Sequence, residues 1–295
     1  MHLEKLEFEI LTSLIKDRVS TDELASTLNQ PADTLEHACR ILTEKGLLSS
    51  VSVTDEGFAA LEPYKVKRAV FFAAGFGSRL IPITFNTPKP LVRVQGTRII
   101  DTLLDAVVSA GISDITIVRG YLGEQFDQLL YKYPHIKFID NPEYNVTNNI
   151  SSAVKARHLF SNAYIFESDL LLKNPALVTP YQYTSNYLGV PVEKTDDWCL
   201  FTNRKGRIVR IAVGGRNCHH LFGLSYWNEE DGRRLEKHMK QAYEMPGGKE
   251  RYWDLVPLDI FIDDYDIRIR ECSFDDIIEI DTFKELCEID PLYKV

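Results

Sequence analysis

The feature that most constrains the fold is an alternation of short apolar runs with helical segments, which begins at Ala69. The pattern predicts strands at 69–74, 114–118, 136–139 and 163–168, with helices near 98–110, 122–131 and 150–159 between them. Strands joined by helices pair in parallel and are covered on both faces. Residues 185–227 then contain successive apolar runs without helices, which predicts an antiparallel extension. Helices near 229–243 and 251–257 and two short strands complete a predicted α/β fold.

The first 65 residues form a separate predicted domain. Leu6, Ile10, Leu11 and Leu14 recur at helical spacing, and two further helical segments follow them. A short strand, a turn and a closing helix come next, so the order of elements resembles a small winged helix-turn-helix domain. The segment "PYKVKR" is the predicted linker, and residues 66–295 form the second domain.

The charge of the first domain disfavours a nucleic-acid partner. Residues 1–65 carry six lysines and arginines against twelve aspartates and glutamates, and the whole chain has a net charge of −9. Attraction to phosphates requires a basic surface, so DNA binding by this domain is possible but disfavoured. We expect instead a regulatory, docking or dimerisation role, and a homodimer is one possibility.

Cysteine usage and hydropathy predict a cytoplasmic protein. The five cysteines are scattered and form no Cys-x-x-Cys pair, which argues against a disulfide framework and a structural zinc site. Acidic residues interrupt the apolar N-terminus, unlike a signal peptide, and no apolar stretch is long enough to cross a membrane. We therefore expect reduced thiols and no membrane insertion.

A glycine turn follows the first strand of the second domain. In "AAGFGSRL", Gly75 and Gly77 are followed by Arg79, and Lys89 lies between two prolines ten residues later. A dinucleotide fingerprint would need a glycine where Leu80 stands, and a P-loop would need a Gly-Lys-Ser/Thr sequence. Glycines allow backbone N–H groups to face phosphate oxygens, and two cations can neutralise the same charge. The alternative is a tight turn flanked by two solvated cations.

The stretch "AAGFGSRLIPITFNTPKPLVRVQG" resembles the signature of nucleoside-triphosphate transferases, over about residues 67–290. The resemblance implies a Rossmann-like, mixed and mostly parallel sheet, and a reaction that releases pyrophosphate. It also implies that Arg79 holds the outer phosphates and that Lys89 reaches the α-phosphate and the incoming phosphate. The turn around base and triphosphate would consist of Ala73, Ala74, Gly75, Phe76, Gly77 and Ser78.

Two acidic strand ends are candidate ligands for Mg²⁺. Asp169 ends the apolar run "AYIFESD", and Asp281 ends "DIIEID". Carboxylate oxygens suit Mg²⁺, and ligands of α/β sheets bind at the carboxyl ends of strands. The same resemblance implies an aspartate from each segment at the metal. The alternative is that these residues only cap the helices that follow them, as Asp281 could do before "TFKEL".

Two further segments look closest to the bacterial CTP:phosphocholine cytidylyltransferases. These are "ITIVRGYLGEQFDQL", with Gly120 and Tyr121, and "NPEYNVTNNISSA", with Asn148 and Asn149. The resemblance implies that Gly120, Tyr121 and Asn149 lie near the nucleotide and that Asn148 lies near the acceptor. The alternative for the asparagines is helix N-capping, which is compatible with a binding role.

Aromatic residues in the second half of the chain are candidates for binding a choline group. A trimethylammonium group is held by aromatic faces and a nearby carboxylate. The candidate residues are Trp198, Tyr226, Trp227, Trp253 and, as the carboxylate, Glu279. Tyr252 and Asp254 lie in the same segment as Trp253 and offer a further ring and carboxylate. The alternative for each ring is packing in the core.

Together these features predict a Mg²⁺-dependent cytidylyltransferase that makes CDP-choline and pyrophosphate from CTP and phosphocholine. One alternative keeps the chemistry but uses a sugar phosphate, a polyol phosphate or a phosphonate as the acceptor. Another, from a different class, is a DNA-binding regulator that senses a nucleotide.

Overall fold

The computed structural model describes residues 2–16, 21–50 and 52–294. The chain divides into two compact units: Met1–Lys65 with Tyr181–Tyr183, and Val66–Pro180 with Thr184–Val295. Within the described residues, every helix is too short or too polar to serve as a membrane span.

The described part of the first unit contains four α-helices and one short hairpin. Its elements are α1 (Lys5–Lys16), α2 (Thr21–Leu28), α3 (Ala32–Glu44), the antiparallel strands β1 (Leu48–Ser49) and β2 (Ser52–Val53), and α4 (Asp55–Leu61). The hydroxyl of Thr54 caps α4 by accepting a hydrogen bond from the Gly57 backbone N–H at 3.0 Å. Leucines on α1 and α3 fill the core of the unit, and Tyr183 stacks on Tyr64 at its side. The winged-helix assignment stays a prediction.

The second unit is built around a seven-stranded sheet. The strands of the unit are β3 (Arg68–Ala73), β4 (Arg93–Val94), β5 (Thr97–Arg98), β6 (Asp114–Arg119), β7 (Lys137–Asp140), β8 (Ala163–Glu167), β9 (Leu170–Leu172), β10 (Asn186–Thr202), β11 (Ile208–Trp227), β12 (Arg268–Glu271) and β13 (Ile277–Glu279). The unit has more strands than this sheet, because four of them form two separate two-stranded ladders, β4 with β5 and β9 with β13. Its helices are α5 (Ile99–Ser109), α6 (Ile150–Ala156), α7 (Glu229–Glu244) and α8 (Phe283–Ile289). The sheet order is β12-β10-β11-β8-β3-β6-β7, and β3, β6, β7 and β8 run parallel. The predicted α/β fold with a mostly parallel sheet is confirmed.

Strand β3 shows why this sheet is covered on both sides. Successive side chains of a strand point to opposite faces. Phe71 therefore packs in one hydrophobic cluster, with residues of α5, while Val70 and Phe72 pack in another, with residues of α6 and α7. Both faces are apolar and both are covered, so functional groups collect at the ends of the strands.

Three predicted elements differ from the structure. The apolar runs of 185–227 form only two long strands, β10 and β11, whose pairing continues through several register shifts. Bulges of this kind bend a strand without ending it, so polar interruptions do not mark strand ends here. Residues Gly123–Tyr131 form a 3₁₀ helix rather than an α-helix. The helix predicted at 251–257 is a single π-turn at Val256–Ile260, where Pro257 offers no backbone N–H.

Candidate active site

The short ladder between β9 and β13 brings two distant acidic segments together. These strands pair antiparallel, with Glu279 opposite Leu170, and the Ile280 backbone N–H donates to the Asp169 carbonyl at 3.4 Å. Asp169, Glu279 and Asp281 each place a carboxylate oxygen within 4.8 Å of the others. Segments separated by about a hundred residues of sequence therefore form one acidic cluster.

Lys89 is the cation at the centre of this cluster. Its ammonium group lies 2.9 Å from Asp169 Oδ2 and 3.1 Å from Asp281 Oδ1. Arg79 reaches the same Asp281 oxygen at 2.6 Å, although its own side chain is largely exposed. The structure thus brings together all four residues that the sequence analysis singled out for phosphate and metal chemistry.

The charges in this cluster shift the pKa values of Lys89 and Glu279. Burial acts to lower the pKa of Lys89, but the carboxylates, Asp169 first, outweigh it and raise that pKa. Burial, followed by the charges of Asp169 and Asp281, raises the pKa of Glu279 well above its usual value. Lys89 is therefore fixed as a cation, and the raised pKa of Glu279 reflects the repulsion among the three carboxyl groups as well as burial.

The residues present fit a hard divalent cation. Mg²⁺ prefers oxygen ligands and is usually held by one or two carboxylates together with phosphate oxygens. Asp169 Oδ1 is buried and has no hydrogen-bond partner, so it has a free lone pair. Asp281 is not the cap of the next helix, because Thr282 accepts the capping hydrogen bond of α8 from Glu285.

The glycine turn after β3 forms one wall of a cavity of about 410 Å³ that Lys89, Asp169 and Asp281 also line. The lining includes each predicted turn residue, namely Ala73, Ala74, Gly75, Phe76, Gly77 and Ser78. Gly77 has a left-handed backbone (φ 61°), and a Cβ there would lie 2.8 Å from the Cβ of Lys89. The turn therefore needs glycine at this position in order to pack against Lys89.

Three aromatic rings meet beside this turn. Phe76 lies 5.1 Å from Tyr121 and 5.2 Å from Tyr144 between ring centroids, and its side chain is 44% exposed. The Tyr121 hydroxyl donates to the Thr84 carbonyl at 2.9 Å. Gly120 leaves room for the Tyr144 ring, because a Cβ at position 120 would lie 2.7 Å from that ring. Gly120 and Tyr121 support Phe76 and Tyr144 and do not line the cavity themselves.

Asn148 and Asn149 line the cavity and connect two loops. Asn148 donates two hydrogen bonds to the same distant segment: its backbone N–H donates to the Lys249 carbonyl at 2.8 Å, and its side-chain amide donates to the Glu250 carbonyl at 3.1 Å. Asn149 accepts from the Trp253 backbone N–H at 2.9 Å through its amide oxygen. Neither side chain caps α6, so the capping alternative does not apply.

The structure does not bring the predicted aromatic group together around the cavity. Tyr226 and Trp227 lie on the interior strand β11, are fully buried, and pack on opposite faces of the sheet. Trp253 is also buried in the core, so these three rings offer no face to a ligand. Tyr252 does line the cavity, with Trp198 against it at 5.6 Å. Glu279 lies beside Asp169 and Asp281, the candidate metal ligands, rather than beside the aromatic rings.

The cavity contains one acidic residue that the sequence analysis missed. Glu167 Oε1 accepts hydrogen bonds from Asn149 Nδ2 at 3.0 Å and from Trp253 Nε1 at 2.9 Å. Burial, then the charges of Asp254 and Asp169, raise the pKa of Glu167 well above its usual value. A signal existed, because Glu167 stands two residues before the candidate metal ligand Asp169, in the same apolar run "AYIFESD".

Comparison with known proteins agrees with this geometry. The model of the family described as "Nucleotidyl transferase" matches residues 68–182. The 2-aminoethylphosphonate cytidylyltransferase of Lancefieldella rimae is 37% identical over 228 residues, which is 76% of this chain and 92% of that protein. The choline-phosphate cytidylyltransferase of Haemophilus influenzae is 30% identical over 219 residues, 74% of this chain and 93% of that protein. The solved CTP:phosphocholine cytidylyltransferase of Streptococcus pneumoniae superposes with a TM-score of 0.72 at 30% identity, covering 77% of this chain and 99% of that one.

Proposed function

The chain belongs to the nucleotidyl transferase family, and from this premise we propose that it is a Mg²⁺-dependent cytidylyltransferase. It would join CTP to a small acceptor that carries a phosphate or phosphonate group, with release of pyrophosphate. The family membership confirms the nucleotidyl transferase resemblance predicted from the sequence. The choice of CTP is supported by the relatives, whose names specify cytidylyl transfer.

The observation that carries the proposal is the pairing of Lys89 and Arg79 with the acidic cluster at the glycine turn. An oxygen of the acceptor would attack the α-phosphorus in line with the departing pyrophosphate. The acceptor is already an anion, so the protein has no need of a strong base. Its contribution is to position the two anions and to neutralise their charge through Lys89 and Arg79.

Asp169 and Asp281 are the residues that would hold Mg²⁺, with Glu279 beside them. When bound, Mg²⁺ would withdraw negative charge from the phosphates. Phe76 and Tyr144 present aromatic rings near the turn, and we assign them to the nucleobase, because such rings stack on bases. Ala73–Ser78 would then surround the triphosphate.

Two acceptors are supported by relatives: phosphocholine, as the sequence analysis expected, and 2-aminoethylphosphonate. Both combine an anionic group with a cationic nitrogen on a short chain. Sugar phosphates and polyol phosphates lack this cation. A pyrophosphate-release screen with each NTP against these acceptors would identify the reaction, and activity confined to sugar phosphates would contradict the proposal.

Lys89→Met is the direct test of the site. Methionine keeps much of the buried stem but removes the charge, so we expect kcat to fall by about 100- to 1,000-fold. The exposed Lys240 on α7 supplies the matched control, and Lys240→Met should leave kcat unchanged. Near-normal turnover in a folded Lys89→Met protein would contradict the proposed role.

A further inference from the structure

The loop from Gly77 to Lys89 carries both cations of the proposed site. We propose that Thr84 and Tyr121 are positioning residues, which hold this loop so that Arg79 meets the outer phosphates of the nucleotide. Neither side chain lines the cavity, so both act through the backbone of the loop. This inference rests on the proposed function and specifies how the triphosphate part of CTP is recognised.

Thr84 ties the loop to the glycine turn. Its side chain is 2% exposed, and its hydroxyl donates to the Gly77 carbonyl at 2.9 Å. The Leu80 backbone N–H donates to the same carbonyl, also at 2.9 Å. Glycine has access to more backbone conformations than any other residue. Two donors on the Gly77 carbonyl therefore restrict a peptide group that the glycine alone would leave free to rotate.

Tyr121 ties the same loop to the central sheet. It follows β6, and its backbone N–H donates to the carbonyl of Ala74, the residue after β3, at 3.0 Å. Its hydroxyl donates to the Thr84 carbonyl at 2.9 Å and lies 3.2 Å from the Phe85 carbonyl. Since β3 and β6 are neighbours in the sheet, Tyr121 connects the loop to its most regular part.

Hydrophobic burial supports only part of this loop. Leu80 is buried in a cluster with residues of α8, but Ile81 and Phe85 are 44% and 61% exposed. Exposed segments with few apolar contacts open easily, so hydrogen bonds decide how well this part of the loop is ordered. The Arg79 side chain is also largely exposed, and its guanidinium is placed by the loop backbone and by Asp281.

The proposed role separates CTP from CMP. A loop that is ordered before its ligand arrives loses less conformational entropy on binding. Arg79 is assigned to the outer phosphates, which CMP lacks. Loss of either hydroxyl should therefore weaken the binding of CTP much more than that of CMP, whereas a general loss of packing would weaken both alike.

The test measures the equilibrium binding of the two nucleotides in the presence of Mg²⁺ and without an acceptor. Isothermal titration calorimetry gives the Kd of CTP directly and that of CMP by competition with CTP, for the full chain and for Tyr121→Phe and Thr84→Val. Phenylalanine keeps the ring that contacts Phe76, and valine keeps the shape of threonine, so each variant removes one hydroxyl. In each variant we expect the Kd of CTP to rise by about 5-fold or more, and that of CMP to stay within about 2-fold.

Two variants serve as matched controls. Thr84→Ser retains the hydroxyl, so its Kd for CTP should stay within about 2-fold of the wild-type value. Tyr133→Phe removes a tyrosine hydroxyl that donates to Asp105 Oδ1 at 2.8 Å and does not line the cavity. It should leave the Kd of both nucleotides unchanged.

Equal losses of CTP and CMP affinity in Tyr121→Phe or Thr84→Val would show that the residue only supports the fold, and would overturn the inference. Unchanged CTP binding in either variant, or a loss in Thr84→Ser as large as in Thr84→Val, would overturn it too, while leaving the cytidylyltransferase proposal intact. A wild type that does not bind CTP would overturn both.

Discussion

Gly75 and Gly77 are separated by one residue in the turn after β3, yet only Gly77 needs to be glycine for the fold. Gly77 has a positive φ and lies against Lys89, whereas a Cβ at Gly75 would have no heavy atom within 4 Å. We expect Gly77→Ala to lower the free energy of unfolding by about 1–3 kcal/mol, because it combines backbone strain with a clash. Gly75→Ala should change it by less than about 0.5 kcal/mol. Urea denaturation followed by tryptophan fluorescence measures both, and equal losses would contradict this distinction.

Asp254 should make the stability of the second unit depend on pH. Burial raises the pKa of Asp254 to about 7, above the usual value of 3.8. The folded state therefore binds more protons than the unfolded state between these values, and stability falls as the pH rises through that window. Asp254→Asn removes this penalty, so the variant should be more stable than the wild type by about 4 kcal/mol at pH 8 and about equally stable at pH 4.

Urea denaturation at the two pH values tests this prediction. Trp227 and Trp253 are buried in the second unit, so their fluorescence reports its unfolding. The exposed Asp259 gives the control, since Asp259→Asn should change the free energy of unfolding by the same amount at the two pH values. A stability difference that does not change with pH would rule out the titration of Asp254 as its cause.

At the residue scale, the sequence predicts charged groups better than aromatic ones. Lys89, Asp169 and Asp281 are recognisable because phosphate and metal chemistry restricts which residue types can serve. An aromatic ring suits both a core and a ligand, and its burial depends on which strands flank it. Trp227 is buried because β11 lies between β8 and β10, which a local pattern does not reveal.

At the scale of elements, the capping box of α8 positions a candidate metal ligand. Thr282 accepts a hydrogen bond from the Glu285 backbone N–H, and the Glu285 side chain accepts from the backbone N–H groups of Asp281 and Thr282 at 2.8 Å each. The box thus fixes the backbone of Asp281. Thr282→Ala should lower stability by about 1 kcal/mol and raise the Mg²⁺ concentration needed for half-maximal activity.

Thr282→Ser is the matched control, because serine keeps the capping oxygen. It should retain the wild-type Mg²⁺ requirement. If Thr282→Ala loses stability but keeps the same Mg²⁺ titration, the capping box has no part in positioning Asp281.

The elements of the parallel sheet follow from local periodicity, but the β9–β13 ladder does not. Each of these strands has three residues, and their pairing joins segments far apart in the chain. Short strands carry little periodic signal. The sequence therefore indicated that Asp169 and Asp281 both end strands, and only the resemblance to the family placed them at one site.

At the scale of the whole molecule, the role of the first unit remains a prediction. The exposed side of α3 includes Glu36 and Glu44, and the net charge of residues 1–65 is acidic. We expect no measurable DNA affinity at physiological salt, since phosphate contacts require cations. Salt-dependent binding to duplex DNA in a fluorescence anisotropy titration would contradict this expectation and support the alternative of a DNA-binding regulator.

The two compact units, each with its own hydrophobic cluster, should unfold in separate steps. Ligands stabilise only the structure that binds them, so CTP with Mg²⁺ should raise the midpoint of the transition that tryptophan fluorescence reports, and leave the other calorimetric transition unchanged.

Tyr183→Ala should lower the midpoint of the first unit's transition and leave the transition reported by tryptophan fluorescence unchanged. Its ring stacks on Tyr64 at 5.5 Å and its hydroxyl donates to the Leu3 carbonyl at 3.0 Å, so its loss should cost the first unit about 2 kcal/mol. A single calorimetric transition that shifts as a whole with both CTP and Tyr183→Ala would show that the units unfold together.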